Sequence, residues 1–234
     1  EEKICTSQGD DSCIESNKRP AQLYMIKNLN IQPSIISGNN LELKLENLFP
    51  LEFTPALSRI LAKLVGDGSF EKSKVEKENA YSFRYCNTNT DLIEQFKADL
   101  KEVFGIEAYV LKKPGKGKTI YYVFVPAVVG RIIALMFPEV MKKNASNVPK
   151  GLFADFVGAL FDDEGHASPT ETKLFISNTN FKLLEQLKTM LLELGIESKL
   201  SKKQFKLFVY GKDNLLNFLE KIPIHSVQKK QRLI

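Results

Sequence analysis

Two short stretches of the chain end in the same way and carry the residues best suited to chemistry. Each is an apolar run of helical character that closes in an acidic residue and a glycine, at Asp67-Gly68 and again at Glu164-Gly165. A single Asp-Gly pair is most often a solvated turn. Two copies of such a helix, however, can bring two carboxylates to one centre, and two close carboxylates can hold a divalent metal ion.

The two stretches belong to an internal repeat. Segments 86–97 and 177–188 share Asn-Thr-Asn followed by Glu-Gln, and Gly-Ile-Glu then recurs at 105–107 and 195–197. The first copy carries six more residues between its acid and its Asn-Thr-Asn, a difference that belongs in a loop. Because there are two copies, the repeat indicates a pseudo-symmetric pair rather than a solenoid.

Composition narrows the class of protein. Of the 234 residues 43% are hydrophobic, which is ordinary for a packed core, and no apolar run approaches the length of a membrane span. Three cysteines and two histidines argue against a zinc site or a disulfide framework, so we expect an intracellular protein, cytoplasmic or organellar. Residues 51–234 hold 28 basic and 21 acidic side chains, which suits a polyanionic partner.

Local signals predict the order α-β-β-α-β-β-α in each copy. Thr54-Pro55 is a helix start, and Gly105 and Gly195 are helix stops. Alternating residues predict strands over 81–85, 108–111, 119–125, 173–177, 197–200 and 205–210. The predicted organisation is a partly disordered extension over 1–50, a first repeat over 51–145, a second over 146–222 and a tail over 223–234.

With its paired motifs and repeat order, the chain resembles the LAGLIDADG homing endonucleases of the single-chain, two-motif type over about residues 54–220. The resemblance implies an α+β fold in which the two repeats are related by a pseudo-twofold axis and two antiparallel sheets form a saddle. It implies an intron-encoded, sequence-specific, metal-dependent endonuclease that cuts both strands of DNA. The partner would be double-stranded DNA with a long pseudo-palindromic site, bound by a monomer.

The same resemblance assigns roles to the residues around the motif. Asp67 and Glu164 would be catalytic and bind Mg²⁺, for which Mn²⁺ or Ca²⁺ could substitute, and Gly66 and Asp163 are assigned to the same metal site. Asp163 stands where the family commonly has a small residue, so we expect it to loosen the contact between the two motif helices.

Small residues are what allow two helices to cross closely. Ala62 and Gly66 supply them on the first motif helix, and we expect Gly158 and Ala159 to supply them on the second. The glycines after the acids would let the chain turn sharply into the next strand.

Active members of the family often carry a lysine at the active-site periphery. The corresponding places hold Asn87, Asn178 and His166, which could orient water but are not permanent cations. This departure bears on the rate of cleavage more than on DNA binding.

Basic residues fall on the inter-strand loops that the resemblance places against DNA, where lysines at the tip of a two-stranded ribbon meet phosphates. The candidate DNA-binding residues are Lys72, Lys74, Arg84, Lys112, Lys113, Lys116, Lys118, Lys173, Lys199, Lys202, Lys203, Gln204 and Lys206. The aromatic residues of the same strands, Tyr121, Tyr122, Phe124 and Phe208, are interpreted as mostly core.

Two alternatives remain. The same scaffold could serve a catalytically weak or inactive DNA-binding regulator, or an RNA-splicing maturase whose partner is intron RNA. An intein is less favoured, because the chain does not begin with Cys or Ser and lacks a terminal His-Asn.

Overall fold

The computed structural model describes residues 51–72, 81–168 and 171–233. By its internal contacts the chain divides into two units, Glu1–Glu52 and Phe53–Ile234. The extension predicted over 1–50 and the candidate Lys74 lie outside the described residues. The fold below is that of the second unit.

Helices and strands follow the repeated order along the chain. The helices are α1 (Pro55–Val65), α2 (Thr90–Phe104), α3 (Ala127–Met136), α4 (Pro138–Met141), α5 (Phe153–Glu164), α6 (Phe181–Glu193), α7 (Lys212–Lys221) and α8 (Val227–Gln231). The strands are β1 (Gly68–Lys72), β2 (Tyr81–Asn87), β3 (Tyr109–Pro114), β4 (Thr119–Val125), β5 (Gly165–Ala167), β6 (Lys173–Ser177), β7 (Lys199–Ser201) and β8 (Lys206–Tyr210). Within the described ranges no helix is long and apolar enough to cross a membrane.

The strands form two antiparallel sheets of four with the same internal order. The first runs β1-β2-β4-β3 and the second β5-β6-β8-β7. The registers also correspond, since Cys86 faces Tyr122 in the first sheet and its counterpart Ser177 faces Lys206 in the second. The α+β prediction with two antiparallel sheets is therefore confirmed.

Helix ends are set by the local signals that predicted them. Thr54 caps α1 by accepting a hydrogen bond from the N–H of Leu57 at 3.2 Å, and proline follows at the first helical position. Gly105 and Gly195 have φ of 65° and 73°, the left-handed conformation that glycine adopts without strain, and they end α2 and α6.

The two motif helices, α1 and α5, pack against each other through small residues at one end. A Cβ on Gly66 would lie 3.1 Å from Cδ1 of Leu160, so Gly66 lies in tight contact with the facing helix, and a side chain there would require Leu160 to shift. At the other end Arg59 of α1 donates to Asp99 of α2 and to Asp155 of α5. The helices thus meet at Gly66 and Leu160 at one end, and Arg59 fixes their register at the other.

Gly158 does not serve the helix crossing as expected. A Cβ at this position would lie 2.2 Å from the carbonyl oxygen of Pro223, so the glycine admits the segment after α7 instead. Ala159 does lie at the crossing, because its carbonyl oxygen accepts a hydrogen bond from Lys63 of α1 at 3.3 Å. Both small residues were predicted to face α1. The structure shows instead that α5 packs against α1 at Ala159 and against the segment after α7 at Gly158.

Each sheet buries one face against the helices and leaves the other turned away from them; we call the second the open face. In the first sheet Phe83, Tyr85, Val123 and Val125 are buried. Because cross-strand partners share a face and neighbours alternate, the open face of the first sheet comprises Ser69, Arg84, Cys86, Tyr109, Leu111, Lys113, Tyr122 and Phe124. That of the second comprises His166, Phe175, Ser177, Lys173, Lys199, Ser201, Lys206, Phe208 and Tyr210.

Glycine after each motif acid is required by crowding rather than by a positive φ. A Cβ on Gly68 would lie 2.5 Å from Cα of Leu64, so we expect Gly68→Ala to lower the free energy of unfolding by about 2–3 kcal/mol through overpacking. Urea denaturation followed by circular dichroism measures this. The matched control is Gly151→Ala, where a Cβ meets nothing within 4 Å. Equal midpoints for the two variants would contradict the crowding argument.

Candidate metal and DNA site

The two motif acids lie at the carboxyl ends of the packed helices. Glu164 is the last residue of α5, and Asp67 follows α1 directly before β1. Burial, and next the negative charge of Asp67, raise the pKa of Glu164 to about 7. Partial desolvation also raises the pKa of Asp67, although its side chain is open to solvent, and the ammonium groups of Lys63, Lys229 and Lys143 oppose that rise. The two carboxylates therefore influence each other in one electrostatic centre.

The repeated Asn-Thr-Asn segment orients both acids. Asn87 at the end of β2 donates from Nδ2 to Asp67 at 3.3 Å, and Asn178 after β6 donates to Glu164 at 3.2 Å. In each case the amide oxygen accepts from the backbone N–H two residues on, which fixes its orientation. The structure thus brings both predicted peripheral asparagines to the acids.

The last asparagine of the same segment begins the following helix. Asn89 accepts from the N–H of Asp91 and caps α2, and Asn180 accepts from the N–H of Leu183 and caps α6. One tripeptide therefore positions a motif acid and starts a helix in each repeat.

Two lysines that the sequence did not single out cap the motif helices. Lys143, after α4, donates from Nζ to the carbonyl oxygens of Leu64 (2.6 Å), Gly66 (3.4 Å) and Gly68 (2.5 Å). Lys229 on α8 donates to those of Phe161 (2.9 Å), Asp162 (2.6 Å) and Asp163 (3.3 Å). Each ammonium compensates the negative end of a helix dipole beside a motif acid. The carbonyl groups of Gly66 and Asp163, assigned by resemblance to the metal site, thus accept from lysine.

Burial lowers the pKa of both capping lysines, while the neighbouring carboxylates raise it. For Lys143 those carboxylates are Glu164 and Asp67, and for Lys229 they are Asp162, Asp163 and Asp67. The lysines therefore share the field of the motif acids.

Separate anchors hold the two capping lysines in place. Lys143 has φ of 54°, uncommon for a residue with a side chain, and its carbonyl oxygen accepts from Asn180 at 2.7 Å. On the other side the buried carboxylate of Asp162 accepts from the N–H groups of His225 and Ser226, both at 2.9 Å. The tail segment that carries Lys229 is therefore tied to the motif helix that it caps.

The sequence signal for these lysines is weak. Lys-Lys pairs occur at 142–143, after α4, and at 229–230, within α8, but also at 112–113 and 202–203. The capping lysine is the second residue of the 142–143 pair and the first of the 229–230 pair, so the repeat does not single them out.

Asp163 forms a buried ion pair across the motif helices. Its carboxylate lies 2.8 Å from Nζ of Lys63, with both side chains at most 2% exposed, and accepts from the hydroxyl of Tyr85 at 2.7 Å. Burial raises its pKa to about 6 against the opposing effect of Lys63. The expectation that Asp163 loosens the helix contact is therefore wrong, because its charge is matched by a lysine from the facing helix.

Asn87 connects the Asp163 carboxylate to the motif acid Asp67, but the Asp163 carboxylate is buried between the helices. Asn87 donates to it at 3.3 Å as well as to Asp67, and its second oxygen lies close to Gly66, buried and without a hydrogen-bond partner. We conclude that Asp163 serves the helix interface with its side chain, and that Asp67 and Glu164 are the carboxylates open to a ligand.

The donor set of Asp67 and Glu164 fits a hard divalent cation. Burial raises the pKa of both carboxyl groups, and the negative charge of Asp67 adds to the rise at Glu164, so a bound cation would stabilise their ionised forms. Within the described residues no three His, Cys, Asp or Glu side chains form a ready-made metal cage. Mg²⁺ is commonly bound by one or two carboxylates together with substrate phosphates and water, which suits this site.

The candidate DNA-binding residues divide between the open faces and the hairpin tips. On the open faces lie Arg84, Lys113, Lys173, Lys199 and Lys206. Exposed at the tips of the β3–β4 and β7–β8 hairpins lie Lys116, Lys118, Lys202, Lys203 and Gln204. Lys112 lies on the opposite face, over the ring of Tyr121. For Lys72 the structure describes the backbone alone, in β1.

Comparison with known proteins agrees with this geometry. Residues 153–223 match the family model described as a LAGLIDADG-like domain. The structure of I-DmoI in complex with DNA and Mn has a TM-score of 0.53 at 18% identity, and covers 72% of this chain and 96% of that one. Full-length DUF199/WhiA from Thermatoga maritima has a TM-score of 0.54 at 15% identity, over 80% of this chain and 63% of that one. The second repeat is a LAGLIDADG-like domain, and the chain has the LAGLIDADG fold.

One curated relative matches over nearly the whole chain. It is the glutamine–fructose-6-phosphate aminotransferase (isomerizing) of Methanocaldococcus jannaschii, which is 24% identical over 252 residues. The match takes in 99% of this chain but 21% of the relative, so the chain spans about a fifth of that protein's length.

The buried Lys63–Asp163 pair makes a prediction about stability. We expect Lys63→Met to lower the free energy of unfolding by about 3–5 kcal/mol, because it leaves the Asp163 carboxylate buried without a counter-charge. Adding Asp163→Ala should restore much of that loss, since the unpaired charge is then gone. Urea denaturation of both single variants and the double variant completes the cycle. Additive losses would show that the two charges do not depend on each other.

Proposed function

We propose that this protein binds double-stranded DNA at a specific sequence and hydrolyses both strands with a divalent metal ion held by Asp67 and Glu164. The observation that carries the proposal is the convergence of these two acids at the carboxyl ends of packed helices, each beside an asparagine and a capping lysine. The LAGLIDADG fold and the resolved complex of I-DmoI with DNA and Mn support it.

The chain's own residues would bind and orient the reacting groups. Asn87 and Asn178 hold the carboxylates of Asp67 and Glu164 in fixed directions, so little reorganisation is needed when DNA arrives. Lys143 and Lys229 place their amino groups at the ends of the motif helices beside the acids, where a scissile phosphate would add negative charge. A bound Mg²⁺ would polarise the phosphate and lower the pKa of its water.

The open faces and hairpin tips would supply DNA binding. A two-stranded ribbon fits the major groove, and the lysines at each tip would contact phosphates. The excess of basic over acidic side chains in residues 51–234 is consistent with such a partner. Each sheet would then read one half of the site while one motif acid serves one strand. The direct experiment is to select bound and cleaved molecules from a randomised duplex library, with and without Mg²⁺.

An intein is a second candidate, and the match to the aminotransferase is the observation that supports it. Nearly all of this chain aligns with a fifth of an aminotransferase, so a segment of this kind is carried in the same polypeptide as another enzyme. We propose that this chain can likewise be carried within a host protein. Expression of a precursor that carries this chain between its natural flanking sequences, followed by mass spectrometry, tests this: a peptide that joins the two flanks, with release of this chain, supports the proposal, and flanks that stay unjoined contradict it.

Loss of either motif acid should separate cleavage from binding. We expect Asp67→Asn or Glu164→Gln to lower the cleavage rate at least about 100-fold while changing affinity for the selected duplex less than about threefold, because the acids lie at the metal site. Gel assays with Mg²⁺ and with Ca²⁺ measure the two quantities. Glu107→Gln, an exposed change far from the motif, is the control. Rapid cutting by the Asp67→Asn/Glu164→Gln double variant would refute the catalytic assignment.

The hairpin tips should set the salt dependence of binding. Changing Lys116, Lys118 and Lys203 to alanine removes three exposed cations from the tips. The slope of log affinity against log salt should fall by roughly two to three units, about 0.9 for each lost phosphate contact. Titration of a labelled duplex with KCl measures the slope.

A matched variant controls for net charge. It removes three exposed lysines that form ion pairs outside both sheets, Lys101, Lys142 and Lys150. Its slope should stay at the wild-type value. If both triple variants shift the slope equally, the hairpin tips do not contact the DNA.

A further inference from the structure

Corresponding rows of the two open faces differ in chemistry. Across the first sheet the row next to the motif reads Ser69, Arg84, Phe124, Tyr109, and Arg84 donates to Ser69 at 2.6 Å. The equivalent row of the second sheet reads His166, Phe175, Phe208, Lys199. An arginine in one sheet is thus a phenylalanine in the other, at the same place relative to the motif acid.

The second row is a continuous run of rings, exposed at His166, half-buried at Phe175 and buried at Phe208. The imidazole of His166 stacks on Phe175 with 4.9 Å between ring centroids, and Phe208 lies 5.6 Å beyond it. Tyr210, 46% exposed, stacks on Phe208 at 5.4 Å. Phe208 is 9% exposed and belongs to the buried core, as the sequence predicted, whereas Tyr122 and Phe124 are half-buried on the open face of the first sheet and depart from that prediction.

Cations surround this run of rings. Nζ of Lys206 lies 4.0 Å from the centre of the Phe175 ring, Lys199 ends the row, and Lys173 borders it in an ion pair with Glu171. The combination of an apolar centre with a basic edge is complementary to a DNA groove, where phosphates flank the bases.

The ring of Phe175 is poorly placed to stack on a base. His166 and Lys206 already lie against it, so little of its face is left for a flat ligand. Proteins that bind single strands instead offer open aromatic faces for stacking. The packed row is better suited to van der Waals contact with small apolar groups projecting from a duplex.

In the major groove of ordinary DNA one such group projects from the base edges, the C5 methyl of thymine. Phenylalanine offers no donor or acceptor to the other edges. Arginine, as at residue 84, is instead suited to guanine. The two halves of a site read by these rows would therefore differ in base composition.

We propose that His166 and Phe175, with the buried ring of Phe208 packed beside Phe175, read their half of the DNA site through thymine methyl groups. This inference rests on the proposed function, since it concerns the same DNA surface. It adds a specificity that no part of the LAGLIDADG motif encodes: one half-site contains thymines beneath the aromatic row, and the other half does not depend on them.

Replacing thymine by deoxyuridine tests the proposal with the unaltered protein. The duplex selected from the library is resynthesised with uracil in place of thymine in one half at a time, which removes methyl groups and leaves base pairing intact. We expect affinity in Ca²⁺ to fall about three- to fivefold for each methyl lost beneath the row, the effect of one buried methyl, and to change little in the other half.

Paired variants connect the effect to the row. Phe175→Ser should bind the thymine and uracil duplexes equally, whereas Tyr109→Ser, an exposed aromatic change in the corresponding row of the first sheet, should keep the difference. Circular dichroism confirms that both variants fold, and the uracil result with the wild-type chain stands without them.

The outcomes separate the two proposals. A library from which no duplex is enriched contradicts the proposed function. An enriched duplex whose affinity is unaffected by uracil in either half overturns the thymine reading alone. Binding of single strands as tight as that of the duplex also overturns it, because the row would then be a stacking platform.

Discussion

The structure depends on how charge is balanced where two helices end side by side. The carboxyl ends of α1 and α5 bring together two negative dipole ends and the carboxylates of Asp67 and Glu164, which repel one another. Left alone, this concentration of negative charge would force the helices apart or protonate the acids. Ammonium groups from Lys143 and Lys229, seated on the terminal carbonyl oxygens, compensate the helix ends and leave the acids themselves available.

That compensation explains features of the chain outside the motif. The lysines come from segments 75–79 and 66–68 residues away from the carbonyl groups they cap, so each repeat must return to its own motif helix after its closing helices. The left-handed backbone at Lys143 and the use of Asp162 to bind the tail are the local means of that return. An energetically unfavourable conformation held by surrounding contacts is typical of a functional site.

Elements with local causes could be predicted from the sequence, and contacts between distant residues could not. Pro55 and Gly105 fix helix ends through their own backbone preferences, and Asn87 was found because it repeats as Asn178. Lys63 and Asp163 are 100 residues apart, and neither carries a local sign of the other. The effect of a charged residue on helix packing therefore cannot be predicted from its own sequence position, because it depends on whether the fold places an opposite charge beside it.

The two repeats share the same order of helices and strands but differ in their side chains. The contacts between α1 and α5 show how this difference stabilises the pairing of the two repeats. One contact of the crossing is ionic, Lys63 with Asp163; the corresponding contact is apolar, Leu160 against Gly66. Two copies of the first repeat would bury Lys63 without a carboxylate, and two copies of the second would bury Asp163 without a cation, each at a cost of several kcal/mol. The crossing therefore favours pairing of unlike repeats within one chain. Once the halves are no longer interchangeable, their sheets are free to present different residues on their open faces, as Arg84 and Phe175 do.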